Sequence, residues 1–275
     1  MSFRYRGSVS VVTGATSGLG RALACGLARR GSLVVAVARR ASVLDEVLGE
    51  LRSTAPDSEG VVCDIADLDA WSDLLVGVEA RHGRIDLLVN AAGIEHRAGV
   101  TDLRWPDVRK TMRVNFDAAA RGTMTVVTGM LERRHGAVVN VSSDHGRAPG
   151  PGTPAYCASK AALSAFTESV AHEVAGTGVH LHVVYPGWVP TPLGQRAVDE
   201  GMPLPPRTVR RTEGAVVRRT LAGVGGPGFE INVARLATLA PVARALLPPV
   251  YRRSMRRLAE HQPAGRRSGP MDPSS

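Results

Sequence analysis

Six short apolar runs recur along the chain: SVSVVT (8–13), LVVAVA (33–38), GVVCD (60–64), DLLVN (86–90), AVVNVS (137–142) and VHLHVVY (179–185). Between them lie longer segments, 18–30, 41–53, 67–82, 105–133 and 155–175, whose apolar residues fall at helical spacing. The runs are too continuously apolar to leave one face in water, which is the pattern of parallel strands covered on both sides. Strand and helix in alternation restrict the chain to crossovers around one parallel sheet. The expected fold is α/β, a single-domain, doubly wound parallel sheet with helices on both faces. A hydrophobic content of 44% over 275 residues is enough to fill its core.

Beyond about residue 190 the pattern loosens. PTPLGQ and GMPLPPRT flank a short helical stretch, followed by a helix near 211–223, the turn GVGGPG, a candidate strand FEINV and a helical tail. One domain over 1–262 is expected, with a substrate-loop region at 188–225, a basic helical tail at 233–262 and a disordered end at 263–275. Cys25, Cys63 and Cys157 are too few and too scattered for a disulfide framework or a zinc site, so no metal is expected. With no secretion signal and no run of about 18 uncharged apolar residues, a cytoplasmic location is expected.

The turn after the first run reads TGATSGLG, with Gly14, Ser17, Gly18, Leu19 and Gly20. Glycines there let the backbone approach a pyrophosphate, while the following helix offers unpaired N–H groups and the positive end of its dipole. Its position between an apolar strand and a helix points to a dinucleotide. At the end of the second run a carboxylate would accept from a ribose 2′-hydroxyl, whereas this chain carries Arg39 and Arg40, which suit a 2′-phosphate. NADP(H) is therefore expected over NAD(H), against the alternative that these arginines are merely exposed loop charges. Asp64, with Ile65 beside it, closes the third run, as a contact for the adenine amino group or as a turn carboxylate.

Chemistry is suggested by AYCASKAAL at 155–163. The chain holds 34 basic side chains but only two lysines, Lys110 and Lys160, and Lys160 stands four residues after Tyr156, on the same helical face. A free phenol has a pKa of about 10, and a neighbouring ammonium lowers it toward a usable general acid/base. A compact ammonium does this better than a planar guanidinium. Tyr-x-x-x-Lys alone is a weak signal. Ser142 and Ser143 end the fifth run at the sheet's carboxyl edge, where α/β folds bind ligands, and either hydroxyl is placed to hold a substrate oxygen or to serve as a turn residue.

Read in order, TGATSGLG, NAAG (90–93), MRVNF, VNVSS, YCASK and PGWVPT (186–191) resemble the short-chain dehydrogenase/reductase family over about residues 7–195. That resemblance implies a nicotinamide-dependent Rossmann fold with an Asn-Ser-Tyr-Lys catalytic set. Asn115 matches the asparagine that holds a relay water, and Ser143 lies the family's 13 residues before the tyrosine. Tyr156 matches the proton donor, and Lys160 the residue that lowers its pKa and binds the nicotinamide ribose. Asn90, Ala91 and Gly93 match the loop under the adenine-side ribose. Pro186, Gly187, Val189 and Thr191 match the turn that holds the carboxamide, and Ser17 a position near the adenosine phosphate. The usual V-D-G-G-like C-terminal run is absent, which bears on whether the chain forms the family's tetramer or a homodimer.

The implied activity is hydride transfer between NADP(H) and a ketone or secondary alcohol, with Tyr156 donating or accepting the proton. An epimerase or dehydratase that retains its nicotinamide, and a non-catalytic NADP-binding sensor, are the alternatives. His145 and Trp188 are candidate substrate contacts, with a loop histidine and an apolar plug as the plainer readings, and a lipophilic substrate suits the pocket expected from 144–152 and 188–206. Trp105 before Pro106 reads as a helix-start staple. The net charge of +9 suggests nucleic acid, for which no motif is present. The arginine-rich tail suits a membrane surface or an acidic carrier protein, but a helix pair packing its apolar side on its own domain is the favoured expectation.

Overall fold

The computed structural model describes residues 3–260. It contains β1 (Val9–Thr13), α1 (Gly18–Ala28), β2 (Leu33–Ala38), α2 (Ala41–Arg52), β3 (Glu59–Val62), α3 (Leu68–His82) and β4 (Leu87–Asn90). Next come α4 (Trp105–Met112), a π turn (Arg113–Asp117), α5 (Ala118–Glu132), β5 (Gly136–Val141), α6 (Pro154–Glu173) and β6 (Val179–Tyr185). The C-terminal part holds α7 (Pro192–Asp199), α8 (Glu213–Gly223), β7 (Glu230–Asn232), α9 (Leu239–Leu246) and α10 (Pro248–Glu260).

All seven strands pair in parallel in the order β3-β2-β1-β4-β5-β6-β7. The order reverses between β1 and β4, and such a switch point opens a crevice at the carboxyl ends of the strands. Strand period two sends alternate residues to opposite faces. Val34 and Ala36 join Leu23, Leu27, Leu87 and Val217 in one core. Val35 and Val37 join Val11, Trp71, Leu88 and Met130 in the other. Both faces of the sheet are therefore sealed by helices, as the unbroken apolar runs require.

Polar residues tie the centre of the sheet. Asn90 Nδ2 donates to Asn140 Oδ1 at 2.8 Å and Asn140 Nδ2 to Thr167 Oγ1 at 2.9 Å, joining β4, β5 and α6. The short β7 is secured by His182. Its Nε2 accepts from Gly225 N at 3.0 Å, so Nδ1 donates to Gly228 O at 3.0 Å. Burial holds this imidazole's pKa down at about 4, keeping it neutral in that role.

Four expectations need correction. The helix expected over 105–133 is interrupted by the π turn at Arg113–Asp117, because one extra residue in a turn leaves the apolar period almost unchanged. The third strand ends at Val62, so Asp64 lies beyond it, exposed and accepting from Ala66 N at 3.1 Å in a local turn. Trp105 is 68% exposed and is the first residue of α4, following the cap Arg104 and not preceding it as a staple would. The tail packs only part of its apolar side on the domain: Tyr251, Met255 and Leu258 of α10 are half-buried, whereas Leu239, Val242, Leu246, Leu247 and Val250 are exposed, and neither α9 nor α10 holds a buried residue. Proline at 248 splits the tail into two short helices, and Pro241 and Ala243 of α9 are half-buried as well. The disorder expected for 263–275 lies outside the described residues.

Candidate active site

The crevice end of the sheet gathers Asn115, Ser143, Tyr156 and Lys160. Ser143 follows β5 and caps the next turn, accepting from His145 N at 3.2 Å, and its hydroxyl also hydrogen-bonds Tyr156. Ser142, one residue earlier, points the other way. Its hydroxyl is buried against α6, bonded to Lys160 O at 3.0 Å and Ser164 Oγ at 2.8 Å. Strand alternation thus assigns Ser142 to the scaffold and Ser143 to the site. The π turn carries Asn115 inward, where its Oδ1 accepts from Ile94 N at 2.8 Å. Its Nδ2 donates to Ile94 O at 2.9 Å and Ser159 Oγ at 3.0 Å, and Ser159 bonds Tyr156 O at 2.8 Å. Asn115 thereby pins both the segment after β4 and the first turn of α6.

Lys160 is buried, its Nζ 5.8 Å from the Tyr156 ring centre and donating to Val141 O at 2.8 Å. Burial pushes the Tyr156 phenol well above its ordinary range, the Glu95 carboxylate adds to the rise, and the Ser143 hydrogen bond opposes it. Lys160, expected to lower this pKa, here directs its ammonium to the Val141 carbonyl. Burial also lowers Lys160 itself, from 10.5 to about 8.

A stability prediction follows from that shift. Between about pH 8 and 10.5 the unfolded chain holds the Lys160 proton while the folded chain releases it, so this group's contribution to stability rises with pH across that window. Denaturant unfolding of the cofactor-free protein should show the rise in the wild type relative to Lys160→Met, reaching on the order of 3 kcal/mol. Parallel pH curves for the two proteins would contradict it.

The other end of the crevice suits a dinucleotide. Gly14 has φ +67°, and a Cβ there would lie 2.8 Å from Ala92 Cα. A Cβ on Gly20 would lie 2.2 Å from Gly14 O. Ser17, exposed at the N-cap of α1, gives no side-chain cap, and the first turn has no acidic residue, so the helix N–H groups there are left for an anion. Gly18 faces Thr191, and Leu19 packs against the core beneath. Arg39 and Arg40 are exposed at the end of β2, and Ile65 is half-buried. Ala91 N donates to Thr13 Oγ1 at 3.1 Å, which holds the 90–93 loop beside the turn. A Cβ on Gly93 would be 3.4 Å from both Asn115 Oδ1 and Lys160 Nζ, so this glycine keeps the passage between the two ends open. These groups fit a dinucleotide: an uncapped helix start, close backbone and a buried ammonium.

Pro186, Gly187 and Val189 lead from β6 into α7, where Thr191 Oγ1 accepts from Gly194 N at 3.2 Å as the helix cap. Trp188 is half-buried, with its backbone bonded to Val209 and Arg211, and its Nε1 has no protein partner. His145 lies nearly perpendicular to the Tyr156 ring at 6.1 Å, its Nδ1 likewise unpartnered, and burial lowers its pKa. Glu95 and Arg97 are functional candidates that sequence reasoning missed. They pair at 2.7 Å with side chains only 11% and 13% exposed, and Glu95 acts electrostatically on both Tyr156 and His145. Arg97 reaches Met202 Sδ at 3.9 Å and Glu200 at 3.9 Å, linking the pair to the end of α7. Their place just past the carboxyl end of β4 was the available signal.

Comparison with known proteins agrees with this geometry. Residues 8–201 match the sequence profile of the short chain dehydrogenase family. An uncharacterised oxidoreductase of Myxococcus xanthus is 35% identical over 261 residues, covering 94% of this chain and 98% of that protein. The crystal structure of a short-chain dehydrogenase from Streptomyces avermitilis superimposes with a TM-score of 0.77 at 26% identity, over 92% of this chain and 97% of that one. A Beutenbergia cavernae protein provisionally named an NAD(P)-dependent gluconate 5-dehydrogenase, with NADP bound at low occupancy, gives 0.75 at 32% identity, over 84% and 97%.

Proposed function

The chain belongs to the short-chain dehydrogenase/reductase family of oxidoreductases, and from that premise we propose that it is an NADP(H)-dependent enzyme interconverting a ketone and a secondary alcohol. The observation that carries this reading is the convergence of Ser143, Tyr156 and Lys160 at the switch-point crevice, opposite an uncapped helix start. The nicotinamide, when bound, supplies or accepts the hydride. Tyr156 gives its phenolic proton to the developing alkoxide, or removes it in the reverse direction. Ser143 holds the same oxygen by hydrogen bond.

Reaction requires Tyr156 to recover a lower pKa than burial alone allows. Lys160 is the group able to restore it. Its ammonium need only turn from Val141 O toward the phenol and the ribose, and Asn115, fixed to Ile94 and Ser159, keeps that side of the site rigid. Protons then reach the phenol through Lys160 and water beside Asn115. Glu95, which raises the phenol pKa, favours the protonated form that carbonyl reduction starts from.

Preference for NADP(H) rests on Arg39 and Arg40, exposed at the end of β2 where no carboxylate repels a 2′-phosphate. Asp64 and Ile65 would border the adenine. Fluorescence titration should show tighter binding of NADPH than NADH, with Arg40→Ala weakening NADPH about tenfold and leaving NADH unchanged. Equal affinities in the wild type would overturn the preference. The reaction belongs to one domain over 1–262, and the substrate to a pocket between the 144–152 loop and Trp188 with α7.

A further inference from the structure

We propose that α9 and α10 form a cationic helix pair that seats this enzyme on an anionic lipid surface, its apolar ridge entering the headgroup region beside the active-site loop. Within α9, Leu239, Val242 and Leu246 recur at intervals of three and four and form one narrow stripe. Leu247 and Val250 follow it, one on each side of the proline break. All five are exposed, Leu246 at 74% and Leu239 and Val250 at 59%, an unusual concentration of aliphatic surface for a chain segment in water. Arg235, Arg244, Arg252, Arg253, Arg256 and Arg257 accompany it, against Glu260 as the sole acidic residue of 233–260.

Apolar stripe and exposed arginines on adjoining surfaces are the composition of a helix that lies in a bilayer interface. Spanning is excluded by length: α9 has eight residues, about 12 Å, and among the described residues no helix is long and apolar enough to cross a membrane. A second copy of the chain is a poor occupant, since a symmetric contact through this ridge would set arginines against arginines. Anionic headgroups complement the same charges. The inward side of the pair is anchored, not loose. Arg244 Nη1 donates to Arg147 O at 2.8 Å and Tyr251 Oη to Pro149 O at 2.6 Å, so the helices grip the loop that joins Ser143 to α6. Arg147 is itself held by Asp144 at 3.0 Å, Glu230 at 3.2 Å and the Tyr185 ring. A lipid-dissolved substrate would then meet the crevice at the bilayer edge.

The test reads vesicle binding and makes no use of turnover, so it stands or falls apart from the proposed reaction. Full-length protein is sedimented with vesicles of phosphatidylcholine alone or mixed with phosphatidylglycerol. Binding should be strong to the mixed vesicles and weak to neutral ones, and Leu246→Asp with Val250→Asp should lower it roughly tenfold or more while the melting temperature is kept. Both substituted positions are exposed, so the fold is spared. Equal binding by the double variant would show adhesion through net charge alone, or through another basic surface, and would overturn the proposal. So would absence of wild-type binding, or an oligomer that the double variant splits while neither protein binds vesicles, which would make the ridge a self-interface.

Discussion

Tyr156→Phe should lower turnover by about 10²–10⁴-fold and leave NADPH binding intact. The substitution removes one oxygen from a buried ring and leaves the contacts that hold α6 here: Asn115 still bonds Ser159, and Ser159 the Tyr156 carbonyl, neither through the phenol. Lys160 keeps its bond to Val141 O. What disappears is the proton donor and the partner of Ser143, so the loss falls on kcat. Steady-state kinetics with a fluorescence titration of NADPH separates the two quantities. Retained turnover would remove Tyr156 from the mechanism, and a lost titration would make its role structural.

Gly20→Ala should weaken NADPH at least about a hundredfold. The new methyl would lie 2.2 Å from Gly14 O and 3.1 Å from Thr13 O, both backbone atoms, so the turn must open. Opening it misdirects the N–H groups at the start of α1. Hydrogen bonds to a charged phosphate contribute about 1.5–3 kcal/mol each, so losing two of them accounts for the expected drop. If strain lowers the amount of folded protein, Gly93→Val gives a second reading: its Cβ meets Asn115 and Lys160 at an ordinary 3.4 Å, and the larger side chain then obstructs the passage without forcing the turn. Unchanged affinity in both variants would place the dinucleotide elsewhere.

Much of this is legible in the sequence. Valine-rich strands buried on both faces announce themselves, and the strands expected at 33–38 and 179–185 coincide with β2 and β6. The glycine turn and the Tyr156/Lys160 pair are local in sequence, and local patterns survive folding. What escaped depends on long-range contact or on direction. Nothing within AYCASKAAL tells that the Lys160 ammonium turns to a carbonyl 19 residues earlier, leaving the phenol pKa raised. The π turn around Asn115 adds one residue to a long helix and hardly alters its period. Glu95 and Arg97 look like loop charges until folding buries them beside Tyr156. In the tail, the apolar residues are plain in the sequence, but which of them meet the domain depends on contacts far along the chain, such as Tyr251 with Pro149 O.

The central claim is net hydride transfer between nicotinamide and a substrate carbonyl with Tyr156 as the proton donor, and the absorbance of reduced nicotinamide tests it most directly. Wild-type protein with NADPH and a panel of ketones should consume NADPH in step with alcohol formed, and Tyr156→Phe should slow both alike. Product formed with no net change in absorbance would contradict it, and would assign these residues to a redox-neutral reaction in which the nicotinamide is retained.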